Sequence, residues 1–254
     1  MLIDAHCHLT AFADTSAVLA ESRAAGVSAF VSAATDRASW KPLVTLRNQA
    51  PNVAIALGLH PLFEHRLIGA DHDLDALEAL LDSTPSPMVA VGECGVDKRF
   101  ESDAQWRLFD AQLGLAEQYG VPIVVHCVQL NDQVAKLLRA HPRLVGGLIH
   151  GFSGSPVQAQ RFIDQGYVIG IGGAVTFERA QKLKRVVKAL PEHGFVLETD
   201  APDMLPASLR GRAEYNVPAN LRIVAKEVAA LRQITLEQLG ECTTANVRRV
   251  FGDW

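Results

Sequence analysis

"DAQWRLFDAQLGLAEQYGVPIVVHC" (residues 103–127) joins two periodicities with almost no linker. Trp106, Phe109, Leu113 and Ala116 recur at three- and four-residue spacing, which predicts one buried helical face, and Gly120 supplies the stop. Pro122 to Cys127 then forms a short, β-branched apolar run, which reads as a strand. The rhythm repeats in both directions. Strands are expected at "MLIDAH" (1–6), "VSAFVSA" (27–33), "VAIALGL" (53–59), "MVAVGE" (88–93), "PIVVHC" (122–127), "LVGGLIH" (144–150), "YVIGIGG" (167–173) and "FVLETD" (195–200), with helical patterns between them. Eight such units in 254 residues are the arithmetic of a single-domain (β/α)8 TIM barrel spanning 1–254, with a helix or two added by "TLEQLGECTTANVRRVF". The longest irregular stretch, "APDMLPASLRGRAEYNVP" (201–218), follows the eighth strand, and a loop of that length in a compact domain is usually functional.

Composition narrows the function. A formal charge of −4 gives no general attraction to nucleic acid or to a membrane surface, so a polyanion would have to be handled by a local site. No apolar run approaches the roughly 20 residues that span a bilayer, and no charged-then-apolar leader opens the chain. A cytoplasmic protein is expected. Four scattered cysteines, Cys7, Cys94, Cys127 and Cys242, form no CxxC pair and are expected as reduced thiols, the first three as small buried apolar residues.

The strand ends carry the chemistry. Alternation in a strand puts Asp4, His6 and His8 on one face and Cys7 on the other, and at a barrel mouth that shared face looks toward the active site. The fourth expected strand ends in Glu93, the fifth in His126, the sixth in His150 and the eighth in Asp200. None of these runs needs a charge to fold. Burying unpaired carboxylates and imidazoles costs several kcal/mol, so five strands ending in ligand-type residues call for cations. With Glu93 able to bridge, the set suffices for a two-metal cluster.

"DAHCH", "GLHP", "VGECGVD", "VVHC", "HGFSGS" and "LETDAPDM" followed by "NVP" resemble, in order and spacing, the signature blocks of the TatD family of metal-dependent deoxyribonucleases in the amidohydrolase superfamily. The likeness runs from Ile3 to "TTANVRRVF". It implies a TIM barrel holding two divalent metal ions, with magnesium, manganese or zinc as candidates. By this resemblance His6, His8, Glu93 and Asp200 hold one metal, and Glu93, His126 and His150 the second. His60, in "GLHP", is implied as a substrate contact or a neighbour of the ligands. Two departures touch the substrate side: Val128 stands where many members carry arginine, and Lys98, Arg99 and only then Phe100 follow "GVD". Arg210 and Arg212, in the long loop, are candidates for phosphate contact instead.

Hydrolysis by metal-activated water is expected, with Asp200 as general base because a carboxylate touching both metal and water can accept its proton, and the resemblance implies removal of nucleotides from the 3′ end of single-stranded DNA. A small amide, lactone or other phosphoester is the alternative substrate, and a non-catalytic metal-dependent barrel the remaining one. A monomer without membrane contact is expected. "KLKRVVK" (182–188) reads as a helix whose Leu183, Val186, Val187 and Leu190 are buried beneath a wet lysine face. Gly172 and Gly173 are expected to let backbone approach the site closely.

Overall fold

A computed structural model describes residues 1–63, 70–83 and 90–254. Eight parallel strands stand side by side in chain order: β1 (Leu2–Cys7), β2 (Val27–Ala33), β3 (Val53–Leu57), β4 (Ala90–Asp97), β5 (Ile123–Val128), β6 (Gly147–His150), β7 (Tyr167–Ile171) and β8 (Phe195–Leu197). The connections carry α1 (Thr15–Ala24), α2 (Arg37–Gln49), α3 (Ala70–Ser83), α4 (Asp103–Tyr119), α5 (Asn131–Ala140), α6 (Pro156–Ile163) and α7 (Gln181–Ala189); α8 (Leu221–Arg232) and α9 (Leu236–Phe251) follow β8. This is the single-domain (β/α)8 barrel that the alternating periodicity predicts. Met88 and Val89, the expected start of the fourth strand, lie outside the described residues.

Local chemistry sets the helix ends. In α4 the Ser102 hydroxyl accepts from Gln105 N–H, and Gly120 closes the helix in the left-handed region at φ 62°. Capping boxes open α2 at Asp36, α6 at Ser155 and α9 at Thr235. In α7 Leu183, Val186 and Val187 are buried, as their spacing predicts, while Lys184 pairs outside with Glu227 at 2.7 Å.

Two apolar clusters divide the strands by face. Small and branched side chains such as Ile3, Ala5, Val31, Ala54, Val124 and Val196 fill the barrel interior, joined by Val247 and Phe251 of α9. Larger ones, among them Phe30, Phe109, Phe162 and Phe195, pack between strands and helices. Each large side chain so buried stabilises the fold by roughly 1.5–3 kcal/mol.

Strict alternation fails in two strands. Ile3 and Ala5, not Asp4, belong to the inner cluster, and a register shift between Asp4 and Cys7 carries His6 and His8 to the inner side. Asp4 therefore does not share their face, because a bulge inserts a residue between them. A second shift, between Val91 and Cys94, follows inward Ala90 with inward Glu93. The fourth strand also continues past Glu93 to Asp97.

The barrel closes without a ladder between β1 and β8. The segment after β8 makes the closure: His8 N–H donates to Ala201 O at 2.7 Å, and Asp200 N–H to His6 O at 2.9 Å. Thr199 adds its backbone N–H to Asp4 Oδ1 at 2.9 Å and its hydroxyl to Asp4 Oδ2 at 2.5 Å. Burial outweighs these bonds and pushes the Asp4 carboxyl up to about 8. Asp4 is thus a clasp of the seam.

Candidate active site

A cleft of about 920 Å³ opens at the C-terminal ends of the strands, within the size range of small-molecule sites. His8, His60, Glu93, His126, His150 and Asp200 line it, and His6 lies buried beneath. Glu93 sits at the centre. Its Oε2 faces His6 Nε2 at 3.2 Å and His8 Nε2 at 3.3 Å. Its Oε1 faces His126 Nδ1 at 3.0 Å, His150 Nε2 at 3.1 Å and His60 Nε2 at 3.3 Å. Asp200 Oδ1 returns to the first group, 3.3 Å from His6 Nε2 and 3.4 Å from His8 Nε2. One carboxylate therefore divides the imidazoles into two sets, one per oxygen.

Backbone geometry creates this arrangement. Gly95, at φ 143°, lies opposite His126, and a Cβ there would stand 2.0 Å from His126 O. Only glycine lets β4 approach β5 so closely that Glu93 and Asp97 flank the same imidazole. Asp200 lies three residues beyond β8 and adopts φ 58°, an uncommon left-handed conformation for a residue with a side chain.

Outer partners fix which ring nitrogens point inward bare. His8 donates Nδ1–H to Ala33 O at 3.0 Å, leaving its Nε2 lone pair toward Glu93 and Asp200. His126 donates Nε2–H to Asp97 Oδ2 at 3.1 Å, so Nδ1 is its bare nitrogen. For His150, Glu198 Oε1 stands 3.5 Å from Nδ1 and favours the proton there. His60 is different. Its Nδ1 accepts Leu62 N–H at 3.2 Å, so the neutral ring carries its proton on Nε2 and presents a donor to the cleft.

The electrostatics demand positive charge between these groups. Burial alone would raise the Glu93 carboxyl, but His150, His60 and His6 outweigh it and hold it well below its ordinary value. Burial likewise opposes Asp200 ionisation, and His150, His6 and His8 overcome it. Burial lowers the charged form of His8 too, yet bonds to Asp200 and Glu93 push it up to about 10. Burial pulls His60 down, which keeps it neutral. His6 Nδ1 and Nε2 are buried without a hydrogen-bond partner. Orphaned imidazole nitrogens beside anionic oxygens fit divalent cations, which would displace the protons that otherwise charge the rings. Groups of donors able to hold an ion include His6, His8 and Glu93, and His6, His150 and Asp200. His60, Glu93 and His126 form a third such group, from which the His60 tautomer detracts.

All six expected ligand positions converge on this cleft, and His60 and Arg210 line it. Arg212 does not. It is exposed and absent from the wall, because Gly211, at φ 73°, turns the chain between the two arginines. Cys7, Cys94 and Cys127 are buried, as expected, and Cys127 also forms part of the cleft wall. Close backbone approach falls on Gly173, where a Cβ would meet Met204 O at 2.2 Å; Gly172 has more room. Sequence reasoning passed over Asp97, Glu198 and Asn216. Asp97 is fully buried, takes Arg99 in a fork and holds His126. Glu198 Oε1 accepts Gly151 N–H at 2.6 Å while facing His150. The Asn216 amide donates to Thr199 O at 3.1 Å and pins the long loop to the seam. Period-two spacing, carried from Glu93 to Asp97 and from Asp200 back to Glu198, would have found the two acids.

The family model of the TatD related DNases matches residues 3–252. The chain belongs to the TatD family. Among its relatives is YjjV of Escherichia coli (strain K12), called an uncharacterised metal-dependent hydrolase, 35% identical over 98% of this chain and 97% of that protein. The crystal structure of YjjV, a TatD homologue, superposes with a TM-score of 0.92 over 100% of this chain and 98% of that one, at 33% identity. A protein of Erwinia tasmaniensis named 3′-5′ ssDNA/RNA exonuclease TatD is 32% identical over 94% of this chain and 93% of its own length. This TatD-family member is thus a metal-dependent hydrolase acting on ester bonds. Among the described residues no helix is long and apolar enough to cross a membrane.

Proposed function

We propose that this TatD-family chain hydrolyses phosphodiesters, releasing nucleotides from the 3′ end of single-stranded DNA, with two divalent cations. The observation that carries the reading is Glu93: each of its oxygens faces a different set of imidazole nitrogens, so this one carboxylate could serve two cations. On this reading His6, His8, Glu93 and Asp200 would hold one cation, and Glu93, His126 and His150 the other. Such a pair, when bound, supplies electrophilic stabilisation of phosphate oxygens and makes water acidic enough to attack at neutral pH.

The protein's own groups do the rest. Asp200 orients the attacking water and accepts its proton, with its backbone held by His6 O. The Nε2–H of neutral His60 faces Glu93 Oε1 at 3.3 Å and orients that carboxylate at the same wall. Asp97, Glu198 and the Ala33 carbonyl keep the three outer imidazoles in their tautomers. An end-cutting enzyme touches few phosphates, which is compatible with a net charge of −4. All residues of the cluster come from one barrel, so one chain is the working unit. Four free cysteines suit a reducing cytoplasm.

Metal analysis with a nuclease assay on 5′-labelled single-stranded DNA tests this. Wild-type protein should give a ladder receding from the 3′ end, and Glu93→Ala should lose both bound metal and the ladder. An undiminished ladder in the variant would refute the role given to Glu93. Turnover of an amide or lactone panel, with none of DNA, would refute the substrate class.

A further inference from the structure

Beyond the metal cleft lies a second hollow of about 470 Å³, and the two share Met204 and Arg210 as lining residues. The second hollow is otherwise walled by small and apolar residues such as Ala174 and Leu205, together with Phe177 and Arg179. Phe177 follows the short turn Gly173–Thr176 after β7. Over its one ring stand two guanidinium groups, Arg210 at 4.8 Å and Arg179 at 5.6 Å from the centroid. A cation held over an aromatic face gains from the ring quadrupole, which sets both head groups in place without neutralising either.

The shelf is built rather than incidental. Ala207 N–H donates to Thr176 Oγ1 at 2.8 Å, tying the loop that carries Arg210 to the turn that carries Phe177. Gly173 leaves the room this needs, since any Cβ there would strike Met204 O at 2.2 Å. Among the described residues neither guanidinium has a carboxylate partner; what sets the pair apart is that one ring holds both at the rim of the metal cleft. Both head groups are exposed to solvent at the edge of the metal cleft, so an anion arriving there meets two positive charges gathered on one ring.

We propose that Arg179, Phe177 and Arg210 form a phosphate subsite that takes the phosphate of a strand next to the one being cleaved. The inference rests on the phosphodiesterase reading and sharpens it: the substrate is an oligonucleotide, not an isolated phosphoester. The shelf supplies the local cationic contact that the overall charge denies.

The test uses the full, metal-loaded chain and reads fluorescence anisotropy of a 5′-fluorescein oligothymidylate whose 3′-terminal linkages are phosphorothioates, so that the end resists cleavage. Wild type is compared with Arg179→Met, Arg210→Met and the two lysine variants. Each methionine variant should bind about tenfold more weakly at low salt, and each lost phosphate contact should flatten the slope of log affinity against log salt by about 0.7. The lysine variants should keep most of the slope, because charge is retained. Unchanged affinity and slope in the methionine variants would overturn the subsite, as would no strand binding by wild type, or lysine variants as impaired as methionine. Hydrolysis of bis(p-nitrophenyl) phosphate, which offers one phosphate only, separates this from the parent reading. If wild type with metal hydrolyses the diester while the salt slopes do not move, the subsite alone falls. If wild type hydrolyses neither the diester nor DNA, the phosphodiesterase reading falls, and with it the assignment of this shelf to its substrate.

Discussion

Removing the Asp4 side chain should open the barrel at its weakest join. Between β1 and β8 no ladder runs, and Asp4 takes both the N–H and the hydroxyl of Thr199. Asp4→Ala leaves two donors of a fully buried threonine without their acceptor. Each such loss costs about 1–3 kcal/mol, so the variant should be less stable by roughly 2–6 kcal/mol, the lower end applying if a water enters the space. For a domain of this size each kcal/mol lowers Tm by about 2–4 °C, which gives a fall of roughly 5–20 °C by differential scanning calorimetry. Asp4→Asn is the control. Its carbonyl can take the Thr199 N–H and its amide can donate to the threonine oxygen, so the cost should stay near 1 kcal/mol. An alanine variant melting with wild type, or an asparagine variant melting with alanine, would refute the clasp.

Two further perturbations follow from the packing. A Cβ at Gly170 would stand 2.2 Å from Glu198 Oε2, so Gly170→Ala should displace the carboxylate that faces His150 and accepts Gly151 N–H. Loss of such an outer partner typically costs about 10–100-fold in metal affinity or activity, to be read by metal analysis and turnover with Tm as the check on folding. On the far side of the barrel His141 sits between Asp110 at 3.0 Å and Glu117 at 3.1 Å; burial opposes its charge, but these two acids raise its pKa. With the folded pKa above the unfolded one, its stabilisation is complete below about 6.5 and is lost as pH rises through the folded pKa. The Tm gap between wild type and His141→Gln should therefore be widest in mild acid and shrink with rising pH; a gap that widens would sink the assignment.

The fold was legible because it depends on periodicity over long stretches. β2 matches its expected span of 27–33, and α4 runs from beside its serine cap to its glycine stop, since both are set by local side-chain chemistry. The positions of the six ligand-type residues were legible as strand ends. What alternation misjudged was parity. It put Asp4 beside His6 and His8, and it ended the fourth strand at Glu93. Both errors arise where a bulge adds one residue, and a bulge is decided by pairing with a neighbouring strand rather than by the residues of its own. Asp97 and Glu198 were missed for a related reason. Period two puts them on the ligands' side, but they face the backs of His126 and His150 only once β4 meets β5 and β8 is set across β7 from β6.

The two bulges also explain why the site and the closure of the barrel are one structure. Without the shift in β1, the histidines would alternate with the inner cluster as Asp4 does, and the seam would carry no ligand-type side chains. With it, His6 gives its ring to the cluster and its carbonyl to Asp200, while His8 gives its ring to the same cluster and its N–H to Ala201. The left-handed backbone of Asp200 costs of order 1–3 kcal/mol, and the surrounding bonds over-determine it: the one to His6 O, the one from Asp203 N–H, and Asn216 on the preceding carbonyl. A cation held by His6, His8 and Asp200 would therefore bind the first strand to the segment after the last. Such binding would stabilise the folded chain in proportion to the logarithm of metal concentration over the dissociation constant, so the centre proposed for catalysis would add to the hydrogen bonds that already close the seam.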